Sequence, residues 1–446
     1  MPSRTHIALF FLVNLALCSW HLDTGTNDSI ISRAALTAAI VEHGTVCIDA
    51  YHDGLGDKAL VNGHYFSDKA PLPSLILVPI WWTAYHAGVV SPGKRGLLTE
   101  SLLATGGFLF GSVPLAIIIS LLWWHGRRNG WSARWGFPLT IALPLFGSFL
   151  FVYSGTLYNH VPAALFLLLS SLAIADERPV AAGLWASAAV LTDTALAILV
   201  AVHGFQFLFF HGWRKTIRFG TALLPAILGL LAWNNLVTGS PLSFTAAYAA
   251  NYPQMHEAYG FGASFFAAAP GLLFSTYRGL FFFMPVLFSI VFVQWRPGLR
   301  GLLSDPWVMP SVVFIAAYCT HATWWGGWAY GPRYLAAPGL LLFVFTLHHL
   351  RTQRWAAFAL ILTGAIGCLF SFSAKSTLWY SMPTEFHNPI RDLVLPAIKE
   401  GRFTTAQWPV WLGMDPGVAS MCFLLLFAIS MVALVRIDRT SPISSN

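Results

Sequence analysis

Hydrophobic positions in this chain fall in long runs that short polar segments separate. Because crossing a bilayer takes about 20 apolar residues, this pattern predicts an all-α, polytopic membrane protein with about twelve transmembrane helices. No soluble domain, low-complexity tract or internal repeat interrupts the series, so we expect one integral-membrane domain over 1–446. The predicted spans are 6–22, 71–90, 98–124, 136–153, 158–175, 180–210, 217–237, 279–293, 307–322, 334–350, 355–372 and 416–435.

Composition supports the same class of protein. The chain is 56% hydrophobic and 10% charged, with mean hydropathy +0.64, whereas a soluble domain carries about 25% charged residues. The net charge of +7 comes mostly from Lys and Arg in short loops between spans, which is an orientation signal and no sign of nucleic-acid binding. The five cysteines are scattered and predict neither a disulfide framework nor a metal motif.

Basic loops indicate which side of the membrane each polar segment faces. Positively charged loops stay in the cytoplasm, and alternation then places 238–278, 323–333 and 373–415 outside. The first loop, 23–70, is net acidic and follows an N-terminus that carries Arg4, so we expect it outside too. The orientation of the spans between 71 and 210 stays open, because Lys94–Arg95 and Arg127–Arg128 fall on opposite sides. The basic residues used are Arg214, Lys215, Arg218, Arg296, Arg300, Arg351, Arg354, Arg436 and Arg439.

The first outer loop gathers much of the acidic charge of the chain. Asn27-Asp28-Ser29 precedes an Ala-rich amphipathic segment that ends at Gly44, and Asx or Ser at the start with Gly at the end are helix caps. We therefore expect an interfacial helix. Asp28 is a candidate N-cap of this helix. It is also a candidate general base toward a hydroxyl, and the two roles are compatible because a cap would hold the carboxylate at the membrane surface. Arg33, about one turn later, would pair with Asp28 or reach a phosphate.

A second polar group stands at the end of this loop. Lys69 follows His64, Tyr65 and Asp68 and immediately precedes a span that begins with proline. An isolated Lys here would be an anchor that snorkels to the interface. In this polar setting, its ammonium is instead a candidate for binding a lipid phosphate, with His64, Tyr65 and Asp68 as substrate contacts.

Residues 323–335 form an aromatic and glycine-rich outer segment. It is either an interfacial aromatic belt or a binding surface, because its glycines permit close backbone approach. Trp325, Trp328 and Tyr330 would pack against sugar rings, and Arg333 would chelate phosphate through two parallel bonds. Arg278 is a second phosphate candidate, with snorkelling as the equal alternative.

Two polar residues interrupt the apolar runs. His160 either faces the site or is a hydrogen-bonded structural residue. Asp193 is a carboxylate inside a predicted span, and such residues usually have a functional role. Alternatively, it caps a helix break, because the run 180–210 is long enough to form two helices.

The order of these features resembles the membrane-embedded glycosyltransferases of the GT-C superfamily, which include protein O-mannosyltransferases and the aminoarabinose transferases acting on lipid A. The shared features are an acid after the first span, a short helix ending in Gly, and a basic residue before a Pro-Leu span. Asp28 matches the catalytic acid of the family, and Lys69 matches the basic residue that faces the donor phosphate. The chain departs from the pattern at Asn27, where relatives often carry a second acid, and at Ala70, where they carry proline.

This resemblance implies a GT-C-like fold and an inverting glycosyltransferase. Such an enzyme moves a sugar from a polyprenyl-phosphate donor to a hydroxyl of a glycan, lipid or protein, amid membrane lipids. The expected location is a bacterial inner (plasma) membrane, with the site facing the periplasm or exterior. No cofactor is assigned, and a divalent cation on Asp28 and Asp68 is an alternative.

Two other classes of function stay open. A multi-pass transporter or a lipid-linked glycan flippase would also carry polar groups such as His160 and Asp193 within its spans. A glycan polymerase would share basic outer residues for a lipid phosphate, although its main loop usually comes late in the chain. An acidic loop after the first span and an aromatic outer segment are less expected of a transporter, and related halves, common in transporters, are not visible here.

Overall fold

The computed structural model describes residues 2–25, 27–90, 100–131, 135–294, 298–350 and 354–441. This part of the chain is mostly helical, with one small antiparallel hairpin of strands β1 (Ala59–Val61) and β2 (His64–Phe66). Arg296 and Arg351, used above to orient the spans, and Lys94 and Arg95, which left the orientation of 71–210 open, lie outside the described residues. The helices are α1 (Arg4–Cys18), α2 (Asp28–His43), α3 (Leu72–His86), α4 (Glu100–Gly107), α5 (Val113–Arg128), α6 (Leu139–Phe146), α7 (Phe149–Val152), α8 (His160–Ala175), α9 (Pro179–Thr192), α10 (Ala197–Gln206), α11 (Trp213–Ala222), α12 (Leu224–Thr238), α13 (Phe265–Phe274), α14 (Leu280–Phe283), α15 (Leu299–Ser304), α16 (Val308–Tyr318), α17 (Ala336–His349), α18 (Arg354–Ser376), α19 (Leu395–Lys399), α20 (Trp408–Trp411) and α21 (Pro416–Thr440).

Five continuous helical segments of the described chain are long and apolar enough to cross a membrane, and each overlaps a predicted span. They are Glu100–Arg128, Thr194–His211, Trp213–Thr238, Arg354–Ser376 and Pro416–Thr440. Large apolar side chains stand exposed on them; Met421 and Leu425 of α21 are 72% and 64% exposed, as expected of faces that meet lipid. The remaining predicted spans correspond to shorter helices, so the figure of about twelve crossings stays a prediction.

Breaks in the apolar runs explain some of the shorter helices. The predicted span 136–153 divides at Gly147 and Ser148 into α6 and α7. The predicted break in 180–210 is confirmed at Asp193, which follows the last residue of α9 and accepts a hydrogen bond from the backbone N–H of Ala195 at 3.3 Å. The carboxylate thus caps the helical segment that begins at Thr194.

Glycines let α18 approach α6 closely. A Cβ atom on Gly367 would lie 2.0 Å from the carbonyl oxygen of Gly147, and one on Gly364 would lie 2.7 Å from the backbone nitrogen of Pro144. Small residues allow this backbone contact between helices in membranes, where lipid removes the hydrophobic driving force.

Helix α2 begins and ends where its caps predict, with one correction. The N-cap is Asn27, whose side-chain oxygen accepts from Ser29, so Asp28 is the first helical residue; Gly44 ends the helix at φ +66°. Most residues of α2 are buried, so the one-sided burial expected of an amphipathic surface helix is not observed.

The hairpin is absent from the all-α prediction. Asn62 and Gly63 join β1 to β2 with φ of +51° and +85°. Positive φ at both turn residues is the conformation for which Asn-Gly is the preferred pair in two-residue hairpins. Residues 59–66 therefore carry a strand signal that hydropathy alone does not reveal.

We expect Gly367→Ala to destabilise the protein by about 1–3 kcal/mol, because the new methyl group must displace backbone atoms rather than a flexible side chain. Thermal and denaturant unfolding of the detergent-solubilised protein measures the change. Gly220→Ala is the matched control, since nothing lies within 4 Å of its Cβ position, and Ala in a helix is favoured over Gly by about 0.5–1 kcal/mol. Equal stabilities for the two variants would contradict this account of the α6–α18 contact.

Candidate active site

A cavity of about 630 Å³ lies where the start of α2 meets three later segments of the chain, and Asp57 and Tyr252 complete its wall. Two of these follow α18, at 378–381 and at 404–406. The third is the 323–335 segment, which contributes Trp328 and Arg333. The lining residues are Asp23, Thr24, Gly25, Asn27, Asp28, Ser29, Asp57, Tyr252, Trp328, Arg333, Leu378, Trp379, Tyr380, Ser381, Thr404, Thr405 and Ala406.

Asp28 presents a partly buried carboxylate to this cavity. It accepts a hydrogen bond from the backbone N–H of Gly56, and a Cβ on Gly56 would lie 2.4 Å from its Oδ2, so a side chain at position 56 would displace the carboxylate. Burial raises the pKa of Asp28 above its ordinary value, although the Gly56 N–H opposes the rise. A carboxylate with a raised pKa in a cavity is suited to accept a proton from a hydroxyl.

Lys69 lies between two carboxylates. Its Nζ is 2.8 Å from Asp57 Oδ2 and 3.1 Å from Asp68 Oδ2. Burial disfavours the ammonium, but the two carboxylates outweigh burial and raise the pKa of Lys69. Burial also raises the pKa of Asp57, but the attraction of Lys69 prevails and lowers it. The predicted phosphate ligand is therefore already paired.

Asp57 is the member of this group that reaches the cavity. Among the described lining residues neither Lys69 nor Asp68 is present. The structure thus does not bring Asp28 and Asp68 together on the cavity wall, and a cation shared by these two carboxylates has no support from the geometry.

Arg333 supplies the positive charge on the cavity wall. Its guanidinium lies over the rings of Tyr158 and Tyr334, 5.2 Å from each centroid. Nη1 donates to the hydroxyl of Tyr158 at 3.0 Å, and Nε makes no hydrogen bond. Within the described chain, no carboxylate forms an ion pair with Arg333, so donors are available for an anion in the cavity.

Tyr158 links Arg333 to the start of α2. The tyrosine is 1% exposed, and its hydroxyl donates to Asn27 Oδ1 at 2.8 Å while accepting from Arg333. The same Asn27 oxygen accepts from the Ser29 N–H at 3.1 Å. One hydrogen-bonded chain therefore links the cavity residue Arg333 to Asn27, which directly precedes Asp28.

Arg33 and His160, both predicted substrate contacts, lie behind Tyr158 and not on the lining. Arg33 is 2% exposed and donates to Asn159 Oδ1 at 2.6 Å. The His160 ring stacks on Tyr158, with centroids 5.7 Å apart, and its Nδ1 lies 3.1 Å from Asp193 Oδ2. Both residues support the wall of the cavity.

Arg278 is buried beneath the aromatic segment. Its guanidinium donates to the backbone carbonyls of Trp325, Gly327 and Met382, at 3.0, 3.0 and 3.1 Å. Those bonds join the turn after α18 to the 323–335 segment. Arg278 thus holds the 323–335 segment in place, and its guanidinium donates to backbone carbonyls rather than to the cavity.

The other predicted contacts divide between the core and the hairpin. Tyr330 is 1% exposed and its backbone N–H donates to the Tyr153 hydroxyl at 3.0 Å. His64 pairs with Asp49, and the ring of Tyr65 stacks on His52 with centroids 4.0 Å apart. These residues and Trp325 are outside the described lining of the cavity.

Several residues that line the cavity are not among the candidates predicted from the sequence. Asp23 accepts from the Tyr380 hydroxyl at 2.5 Å and from the Gly25 N–H at 2.8 Å; burial raises its pKa. Its place just after the first span, like that of Asp28, is a signal that could have identified it. Tyr252, which donates to Asp57, and Trp379 come from loops with no distinctive local pattern.

Comparisons of the chain with protein-family models, with curated proteins and with solved structures find no match.

We expect Lys69→Met to lower the free energy of unfolding by about 3–5 kcal/mol, since Asp57 and Asp68 would stay buried without a counter-ion. Lys215→Met is the control, because it breaks an exposed pair with Glu177, whose side chain is 66% exposed, and should cost less than about 1 kcal/mol. Chemical unfolding in detergent measures both. A loss at Lys69 no larger than that at Lys215 would show that the pairing is not a buried one.

Proposed function

We propose that this chain is a membrane glycosyltransferase that moves a sugar from a lipid-linked phosphate donor, of the polyprenyl-phosphate kind, to a hydroxyl acceptor. The observation that carries the proposal is the pair of opposite charges on one cavity wall: the Asp28 carboxylate and the Arg333 guanidinium, neither in a described ion pair. Trp328 and Trp379 line the same cavity, and Trp328, which is 52% exposed, offers an aromatic face to a sugar ring.

In the proposed step, the acceptor hydroxyl oxygen attacks the anomeric carbon from the face opposite the phosphate. The bond from that carbon to the phosphate oxygen breaks, and the phosphate leaves with the electron pair while the hydroxyl proton passes to Asp28. Arg333 stabilises the charge that develops on the leaving phosphate. One displacement of this kind inverts the anomeric centre and requires no nucleophile on the protein.

Lys69 and Arg278 take different roles in this proposal from those predicted by the sequence. Lys69 compensates the charge of Asp57 and Asp68 beside the base, and Arg278 positions the segment that carries Arg333. The twelve crossings, the GT-C-like fold and a cavity on the extracytoplasmic side of a bacterial inner membrane belong to the same proposal.

The central experiment is complementation of a deletion strain, read by mass spectrometry of its surface lipids and glycans. The wild-type gene should restore a sugar-bearing species that the deletion lacks. Asp28→Asn should not, because loss of a general base costs about 10²–10⁴-fold in rate. Arg333→Ala should not either, because the leaving phosphate would lose the charge that stabilises it. Asp53→Asn is the matched control, an exposed carboxylate of the same loop that is absent from the lining.

Immunoblots of the membrane fraction establish that each variant accumulates normally. Full complementation by Asp28→Asn would overturn the proposed role of this residue. Accumulation of a lipid-linked precursor on the cytoplasmic face in the deletion strain would instead favour a transporter or flippase.

The pH dependence of transfer tests the identity of the base. Because burial raises the pKa of Asp28, the acidic limb of the rate profile should lie above the ordinary Asp value of about 3.9. Lys58 lowers this pKa, so Lys58→Gln should raise it and move the limb to higher pH. Lys58→Arg, which keeps the charge, should leave the limb in place; an unmoved limb in Lys58→Gln would argue against Asp28 as the base.

A further inference from the structure

Three metal-ligating side chains converge at the edge of the hairpin, away from the cavity. Cys47 and Asp49 stand in the turn after α2, and His64 is the first residue of β2. One donor atom from each lies within 4.8 Å of the other two. None of the three is on the cavity lining, so this cluster is separate from the candidate active site.

Backbone contacts hold the two segments in register. The N–H of Ile48, between Cys47 and Asp49, donates to the Tyr65 carbonyl at 2.8 Å, and the N–H of Tyr65 donates to Asp49 Oδ1 at 2.6 Å. Asp49 Oδ2 lies 2.8 Å from His64 Nδ1. The ligand-bearing residues are thus positioned by bonds that do not involve the thiol.

The donor set identifies the class of ion. A thiolate, an imidazole nitrogen and a carboxylate oxygen are the ligands of Zn²⁺, whereas Mg²⁺ and Ca²⁺ take oxygen ligands. A tetrahedral zinc centre holds its ligand atoms roughly 3.3–3.8 Å apart, given bond lengths of about 2.0–2.3 Å. Asp49 and His64 are exposed and Cys47 is partly exposed, so their side chains can rotate to this spacing.

We propose that Cys47, Asp49 and His64 bind Zn²⁺, with water as the fourth ligand. The alternative is a surface hydrogen bond between Asp49 and His64, with Cys47 packed against the hydrophobic core, and the two experiments below distinguish it from a metal site. The ion would fasten the turn after α2 to the hairpin, and β2 leads directly through Ser67 into Asp68 and Lys69. The site does not depend on the reaction proposed above.

Elemental analysis of tag-free, full-length protein in detergent tests the site, after chelation, reloading with Zn²⁺ and desalting. The wild-type protein should retain about one zinc per chain, and Cys47→Ser and His64→Ala should each lose most of it. Cys422→Ser is the control, because Cys422 is also a partly buried cysteine but lies in α21 and is not one of the three proposed ligands. This variant should retain zinc like the wild type. Equal zinc in the wild type and Cys47→Ser would overturn the proposal.

Cobalt substitution identifies the thiol ligand directly. Co²⁺-loaded wild-type protein should show near-ultraviolet charge transfer from thiolate to metal, and Cys47→Ser should lack it. Without the metal, Cys47→Ser and the wild type should have the same melting temperature, while Zn²⁺ should raise that of the wild type only. A cobalt spectrum without the thiolate band would also overturn the site.

Discussion

The side-chain oxygen of Asn27 makes the contact on which the candidate active site depends. It caps α2 by accepting from Ser29 at 3.1 Å and also accepts from the Tyr158 hydroxyl at 2.8 Å. Because Asn27 satisfies the helix end, the neighbouring Asp28 carboxylate is left to face the cavity. Tyr158 in turn receives Arg333, so a helix cap, a buried ring and a cation far along the chain hold one another in place.

Burial determines which charged groups are already paired and which are left to contact a ligand. A carboxylate or ammonium removed from water must be paired, since an unpaired buried charge is costly, and Asp57, Asp68 and Lys69 satisfy this requirement among themselves. Arg278 satisfies it through backbone carbonyls. The charged groups that remain on the cavity wall for a ligand are the guanidinium of Arg333 and the carboxylate of Asp28.

Local signals in the sequence predicted local structure well. The caps of α2, the break at Asp193 and the long apolar helices depend on residues within one or two turns of one another. The hairpin at Asn62-Gly63 carried an equally local signal, but hydropathy did not register strands this short. The ion-pair partners of Lys69 were harder to predict from the sequence. Asp57 is twelve positions away, and nothing in the spacing shows that Asp57 and Lys69 meet.

The sequence by itself determined that this is a mainly helical chain with membrane-length apolar helices, because hydropathy and helix caps act over short distances along the chain. It also identified Asp28 and Arg333 as chemically notable residues. Only the tertiary structure decided which charges are paired, that Asp23 and Tyr252 join the cavity, and that Cys47 meets His64. Those outcomes depend on contacts between segments distant in sequence, and the energy of a buried charge is set by such neighbours.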